Sequence, residues 1–458
     1  MFIEKVKSHG LAHLSYLIGS DGKAAVIDPR RDCSVYIEMA AAQNCRVTHI
    51  FETHRNEDLL SGAAILAERT GAGVYHGPNA DGDVAYAETV KEGARFDIGQ
   101  LRLDVMETPG HTDDSVSYAV YDTDFGDEAV AVFTGDALFI GDVGRTDFYP
   151  DRAEEVAGLL FDSLRKLIAL GDQAVIYPAH GAGSVCGSGM ADREVSTIGY
   201  ERINNPRLAI DDRDSFVKAK LAEHHEYPPY FRHMEALNLR GASAVPQPLL
   251  PMPLTSEALK TSRDDAVVVD VRSASGFLGA HLPGSLALPA DTIAAYAGWL
   301  LEPRQRLVLV ADDAAQAESA ARHFARIGYD NLEGFLAPSL AAWAASGECF
   351  TAVPVVDADI VRKRLDAGND DWTLLDVRAL DEVKSAEIPD AKHIYLGKLP
   401  DALDELDRKR RYTVMCGSGT RATIAASLLL RAGFDEVDLF LGSMGAWTSE
   451  GFPIDDAG

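Results

Sequence analysis

The feature that most restricts this chain is that its second half is written twice. "AVVVDVRSASGFLGAHLPGSLALP" opens one unit and "TLLDVRALDEVKSAEIPDAKHIYLG" opens another, so that Asp270-Val271-Arg272 and Asp376-Val377-Arg378 are equivalent. Further on, "LVLVADDAAQAESAARHFARIGYD" matches "YTVMCGSGTRATIAASLLLRAGFD", and "GFLAPSLAAWAASG" matches "LFLGSMGAWTSEG". A repeat of about a hundred residues is long enough to enclose its own core. Short apolar runs alternating with helical stretches make each copy an α/β domain. The segment "GASAVPQPLLPMPL" precedes them with four prolines in fourteen residues and reads as a stiff, extended linker. At 458 residues the chain exceeds one core. Three modules are expected, over residues 1–240, 241–352 and 353–458.

The first module has a different rhythm. "HLSYLIG" and "AAVIDP" read as paired strands, "CSVYIEMAAAQN" as a helix, and "EAVAVFTGD" and "QAVIYPAHG" as buried strands ending in polar residues. Residues 183–240 are mostly helical and polar, and end in "YPPYFRHMEALNLRG", where the Pro-Pro pair interrupts regular structure. Chemistry-bearing side chains gather at strand C-terminal ends, as layered α/β proteins place them. They lie in "AAVIDPRRD" (Asp28), "THRNEDLLSG" (His54, Asp58), "TPGHTDDS" (His111), "FTGDALFIGDVGRTDF" (Asp136, Arg145) and "YPAHGAGSVCG" (His180, Cys186).

Bulk properties narrow the partners. A formal net charge of -28 argues against nucleic acid and anionic membrane surfaces. No apolar run reaches membrane-spanning length, and "MFIEKVKSHG" lacks the apolar stretch of a secretion signal. The five cysteines are scattered, with no CxxC pair, which points to a reducing, cytoplasmic compartment.

The ordered set TH…PGHT…TGD…PAHG resembles the metallo-β-lactamase superfamily, over about residues 10 to 240. The resemblance implies an αββα sandwich. Dinuclear hydrolases of that superfamily hold the first metal with three histidines and the second with an aspartate and two histidines, a further aspartate bridging them. Mapped here, Asn56 stands at a first-site histidine and Leu59 at a second-site one. Leucine cannot ligate, and an amide is a poor zinc ligand beside imidazole. Two-zinc hydrolysis of the glyoxalase II or lactamase kind is therefore disfavoured. His54, His111 and Asp136 survive, and two imidazoles with one carboxylate compose the facial triad of non-haem Fe(II), with three positions open. Within the superfamily this resembles the persulfide dioxygenases. The resemblance implies one Fe(II) per domain, which zinc can replace in purified protein. Asp58 and His180 then either orient the triad and a coordinated water or are retained for packing. Arg145 either grips an anionic substrate tail or forms a structural ion pair with a nearby Asp. Cys186 either approaches the metal or carries sulfur, or is an inert thiol.

The second repeat carries "MCGSGTRA". A cysteine directly after a buried strand, followed by small residues that open a helix, is placed to be held as a thiolate by successive backbone N–H groups. Gly417, Ser418, Gly419 and Thr420 form this cradle and Arg421 closes it. With the DVR and LGSMGAW elements, residues 353–458 resemble a rhodanese (sulfurtransferase) domain. Cys416 to Arg421 is one residue shorter than the loop of the related phosphatases, which favours sulfur over phosphate. In the first repeat Ala311 replaces the cysteine, Gln316 the arginine and Ala314 the loop glycine. That repeat is expected to be a spacer or docking surface without sulfur chemistry. Glu387 and Asp390 replace the His and Gly usual in the second repeat's family, which bears on substrate preference.

The whole arrangement resembles the bacterial sulfide-detoxifying fusions of a persulfide dioxygenase with rhodanese domains. It implies a metallo-β-lactamase αββα sandwich followed by two rhodanese-like α/β domains. A low-molecular-weight thiol persulfide would be oxidised by O2 to sulfite, with Cys416 exchanging sulfane sulfur to form or use thiosulfate. A homo-oligomer, dimer or tetramer, is expected. The rivals are a zinc-dependent thioester hydrolase of glyoxalase II type and a non-catalytic sulfur carrier or sensor in which only Cys416 works.

Overall fold

Alternation along the first strands sorts the apolar side chains of the N-terminal unit into layers. The computed structural model describes every residue except 79–81, 185, 186, 188, 369, 370 and 456–458. Two compact units emerge, one of Met1–Val245 with Arg326–Gly328, the other of Pro246–Ala325 and Tyr329–Gly458. In the first, one six-stranded sheet runs in sequence order through β1 (Phe2–Ser8), β2 (His13–Ser20), β3 (Lys23–Ile27), β4 (Arg46–Phe51), β5 (Gly73–His76) and β6 (Glu88–Thr89). A second contains β7 (Arg95–Ile98), β8 (Leu101–Glu107), β9 (Val116–Asp122), β10 (Ala129–Gly135), β11 (Val175–Pro178) and β12 (Ser196–Thr197), again side by side in order.

Tyr16, Ile18, Ala25 and Ile27 of the first sheet share a core with Leu103, Val105, Tyr118, Val120 and Phe133 of the second. Their neighbours Leu17, Ala24 and Val26 face the opposite way and pack on the helices Ser34–Ala42 and Ala63–Thr70. On the far side, Val132 and Ile176 meet Leu160, Leu164 and Leu167 of the helix Ala153–Ile168. The period of two in each strand therefore builds helix, sheet, sheet and helix. Each fully buried aromatic in the middle layer contributes about 2–3 kcal/mol.

The second unit contains the duplication. β13 (Pro253–Leu254), β14 (Val267–Asp270), β15 (Leu286–Ala287), β16 (Leu307–Val310) and β17 (Leu332–Leu336) lie in the order β13-β17-β16-β14-β15. β18 (Val355–Val356), β19 (Trp372–Asp376), β20 (Lys392–His393), β21 (Arg411–Met415) and β22 (Val437–Phe440) repeat that order as β18-β22-β21-β19-β20. All the pairings are parallel. The DVR motifs explain themselves: Arg272 pairs with Asp270 at 2.6 Å and Arg378 with Asp376 at 2.6 Å, all buried. Each arginine also donates to a carbonyl, Ala280 or Ala386, so the buried charges are compensated. The proline-rich linker has no helix or strand until Pro253–Leu254, which forms an edge strand on β17. A proline is tolerated there because an edge leaves one side of the ladder open. Asp390, at the position of Gly284, keeps the glycine-like turn: φ is 64° at Asp390 and 79° at Gly284.

Candidate metal centre and sulfur cradle

Three loops bring the sequence-predicted ligands together. His54 follows the end of β4, Asp136 follows β10, and His111 sits in the hairpin loop between β8 and β9. All three are buried, and their ligand atoms lie within 4.8 Å of one another. Asp136 Oδ2 is 3.4 Å from His111 Nε2 and 3.9 Å from His54 Nε2. Close approach of β4 and β10 requires Gly135, whose φ is +53° and whose added Cβ would stand 2.7 Å from Thr53.

The outer nitrogens of both rings are held, which fixes the inner ones. His111 Nδ1 donates to the Arg145 carbonyl at 3.0 Å, leaving Nε2 as a lone pair. Thr53 Oγ1 donates to Asp28 Oδ2 at 3.0 Å and therefore accepts from His54 Nδ1 at 2.9 Å. Among the described residues neither buried Nε2 has a hydrogen-bond partner, as expected of nitrogens aimed at a cation. Thr53→Val keeps the shape and removes the acceptor behind His54. We expect metal affinity to fall roughly ten- to hundredfold, measured by chelator competition, with a lower melting temperature as well, because Asp28 Oδ2 loses the Thr53 hydroxyl that donates to it.

Electrostatics in the site follow burial and proximity. Burial alone would raise the Asp136 carboxyl, but the imidazoles of His180, His54 and His111 outweigh it and hold the group well below the usual range. Burial pushes His54 down, partly opposed by Asp136. Burial also acts to lower His111, but the carboxylates of Glu57 and Asp136 reverse the sign and raise it. Asp28, the fifth sequence anchor, is pushed up to about 7 by burial, opposed by hydrogen bonds from Thr53.

Asp58 and His180 face each other beside the triad. His180 Nε2 is 3.0 Å from Asp58 Oδ2, and His180 Nδ1 donates to Asp136 at 2.8 Å. The two residues thus form a chain behind a candidate ligand. Asn56 and Leu59 are buried in the same loop, and Asn238 donates to both of their carbonyls, at 2.7 and 2.8 Å. Sequence reasoning missed Glu57. Its carboxylate is buried, with one oxygen 3.2 Å from His111 Nε2 and the other 3.9 Å from His54 Nε2. In "HRNEDLL" an acid between Asn56 and Asp58 reads as a solvated loop residue, because sequence does not show which way a loop side chain turns.

Arg145 is ion-paired with Asp147. It is buried, donates to both oxygens of Asp147 at 2.7 and 2.6 Å, and lies over the Phe148 ring at 4.9 Å. Phe148 stands edge-on to His111, with centroids 5.2 Å apart. That ring, Tyr149 and Tyr227 wall a pocket of about 680 Å³ that also contains Arg55 and Arg232. Cys186 lies outside the described residues.

The sulfur cradle forms where β21 meets the helix Thr420–Arg431. Cys416 is buried, and the Gly419 N–H donates to its Sγ at 3.1 Å. Ser443 Oγ, held at φ +50°, is 4.0 Å from Sγ and accepts from the Cys416 N–H at 3.0 Å. Gly417 and Ser418 lie in the same loop and Thr420 opens the helix. Arg421 is paired with Glu382 at 2.5 and 2.7 Å. Gly419 has φ +111°, and a Cβ there would lie 2.6 Å from the Leu441 carbonyl. An alanine such as Ala314 therefore cannot adopt this loop. In the first repeat Gln316 instead accepts from the Asp312 N–H, and Asp313 from the Gln316 N–H, both at 2.8 Å. Its helix N-terminus is filled by its own side chains, with two acids where an anion would bind.

Residues 10–180 match the metallo-beta-lactamase superfamily, and residues 255–346 and 357–450 match the rhodanese-like domain. A hydroxyacylglutathione hydrolase of Rhodospirillum rubrum is 31% identical over 287 residues, covering 59% of this chain and 91% of that protein. The mitochondrial persulfide dioxygenase ETHE1 of Bos taurus is 30% identical over 218 residues, covering 44% and 74%. Among solved structures, a metallo-beta-lactamase from Staphylococcus aureus subsp. aureus COL superposes with a TM-score of 0.67 at 28% identity, covering 73% of this chain and 98% of that one.

Proposed function

The chain belongs to the metallo-β-lactamase superfamily and carries two rhodanese-like domains, and from that premise we propose a role in sulfur metabolism: Fe(II)-dependent oxidation of a low-molecular-weight persulfide to sulfite, with sulfur transfer at Cys416. The overall change is RSS⁻ + O2 + H2O giving RSH + SO3²⁻ + H⁺. The working modules remain 1–240, 241–352 and 353–458. The supporting observation is the donor set. His54, His111 and Asp136 converge, while Asn56 and Leu59, which stand in the same loop, offer no imidazole. Such a set suits one cation with open positions better than two zinc ions.

Iron, when bound, would supply redox activation of O2 and of the persulfide sulfur. His54, His111 and Asp136 would hold it, with Thr53 and the Arg145 carbonyl keeping the two imidazoles in the ligating tautomer. His180 donates to Asp136 and keeps that carboxylate oriented. Phe148, Tyr149 and Tyr227 would exclude water from the approach to His111, and Arg55 and Arg232 would receive the anionic tail of the thiol. At the second site Cys416 would carry a sulfane sulfur on the loop Gly417–Thr420.

The likeness to a hydroxyacylglutathione hydrolase keeps thioester hydrolysis as the reading to test against. Asn56→His/Leu59→His separates them. Asn238 pins the backbone of this loop, so new imidazoles can extend from an unchanged path. We expect the double variant to gain zinc, since nitrogen-rich sites favour Zn over Fe(II), and to lose persulfide-dependent oxygen uptake. Elemental analysis, an oxygen electrode and an acyl-thioester assay measure this. A double variant that keeps iron and oxidises persulfide faster would mean that the present loop is a damaged hydrolase site.

A further inference from the structure

Glu57 brings a second carboxylate to the metal centre. Its side chain is buried, with Oε1 3.2 Å from His111 Nε2 and Oε2 3.9 Å from His54 Nε2. Both rings spend their Nδ1 proton elsewhere, on the Arg145 carbonyl and on Thr53 Oγ1, so each Nε2 presents a lone pair. Carboxylate and imidazole lone pairs repel, and burial removes the water that would screen them. Something positive must stand between. A proton on His111 Nε2 would make a hydrogen bond, and the contact lacks that geometry. A shared cation fits better: cis donors on one ion, with bonds of about 2.1 Å, stand about 3 Å apart.

The loop is built to aim this side chain. Before Glu57, Asp114 accepts from the Arg55 N–H at 3.1 Å, and Asn238 donates to the Asn56 carbonyl at 2.7 Å. After it, the Tyr230 hydroxyl donates to the Asp58 carbonyl at 3.2 Å, and Asn238 donates to the Leu59 carbonyl at 2.8 Å. Asn238 Oδ1 also accepts from the Ser61 N–H at 3.0 Å. The backbone is thus pinned on both sides of Glu57, and the direction of its Cβ with it. Asp114 and Asn238 are themselves buried, so these bonds are shielded from competing water.

We propose that Glu57 covers one open position of the iron while substrate is absent, and yields that position to the persulfide anion. This rests on the reading of the site as that of a one-iron persulfide dioxygenase. Charge gives the reason. A divalent ion with Asp136 alone carries one uncompensated positive charge in a buried site, which is costly. Glu57 neutralises it at rest, and RSS⁻ neutralises it in Glu57's place. The carboxylate gives up its bond and the persulfide sulfur takes it; each donor keeps its own electron pair, and nothing is oxidised or reduced. A donor that substrate displaces contributes little to holding the ion, which rests on His54, His111 and Asp136. The effect of Glu57 is selectivity in time: O2 meets a covered site until a persulfide has entered.

The test uses the full-length chain, loaded with Fe(II) without oxygen and titrated with nitric oxide, a stand-in for O2 that reports open positions without turnover. Its paramagnetic resonance signal is read with and without glutathione persulfide. Without persulfide, Glu57→Ala and Glu57→Gln should each bind nitric oxide about tenfold more tightly than the parent. A position covered about nine-tenths of the time lowers apparent affinity by that factor. With persulfide present, parent and variants should bind it alike, and iron per chain by elemental analysis should match the parent throughout. Parent-like affinity without persulfide in either variant would overturn the proposal. Loss of iron from either variant would overturn it too, because Glu57 would then hold the ion rather than cover it. If the parent chain takes up no iron, the one-iron reading itself fails, and this inference with it.

Discussion

Replacing His54, His111 or Asp136 with alanine is expected to release the metal and abolish persulfide-dependent oxygen uptake, while sulfur exchange at Cys416 continues. The three residues are the cluster of ligand atoms that the fold brings within 4.8 Å. Among the described residues these three donors form the cluster, and loss of one leaves two, too few to hold a labile divalent ion against water. Removing groups that merely support ligands costs about ten- to a hundredfold in affinity or activity, so removing a ligand should exceed that range. The variants should also differ among themselves. Asp136→Ala leaves His180 without the carboxylate to which it donates, and it should be the least stable in thermal unfolding. His54→Ala leaves the Thr53–Asp28 hydrogen bonds intact and should unfold near the parent. Metal per chain, oxygen uptake with a defined persulfide and thiosulfate-forming exchange are measured on the same preparations. A variant that keeps iron and parent-like uptake would remove that residue from the ligand set.

Most of the fold was legible because two periodicities carry it. Strand alternation in "HLSYLIGS" and "KAAVI" assigns Tyr16, Ile18, Ala25 and Ile27 to one layer and Leu17, Ala24 and Val26 to the other. The duplication fixes two sheets of one strand order, since similar sequences fold alike. The linker was less legible: prolines argue against a strand, yet Pro253 occupies a sheet edge where its missing N–H costs nothing.

The candidate site divides in the same way. Residues that end strands, such as His54 and Asp136, could be placed together from sequence because strand ends of a layered fold converge. Glu57, Thr53 and the Arg145 carbonyl could not. Their parts in the site depend on loop conformation and, for Arg145, on a backbone atom that every residue type shares.

Cys416→Ser is expected to abolish sulfur loading of residues 353–458 and thiosulfate-forming exchange, with iron content and oxygen uptake preserved. The argument rests on the cradle. The Gly419 N–H points at Sγ from 3.1 Å, an arrangement that stabilises a sulfur anion. A serine hydroxyl in the same place is shorter and remains protonated, and it does not take up sulfane sulfur. The first repeat cannot compensate, because Ala311 supplies no nucleophile and its loop N–H groups are engaged by Gln316 and Asp313. Ala311→Cys/Cys416→Ser extends the argument. A thiol at 311 would lack the glycine turn, since Ala314 cannot take the φ of +111° that Gly419 has, and would have Asp312 and Asp313 beside it in place of an arginine. The double variant should therefore remain as inactive in exchange as Cys416→Ser alone. Sulfur transfer near the parent rate in Cys416→Ser would remove Cys416 from the reaction. Recovery of transfer in the double variant would instead show that the loop glycine and arginine are dispensable, and that the two repeats differ by the nucleophile alone.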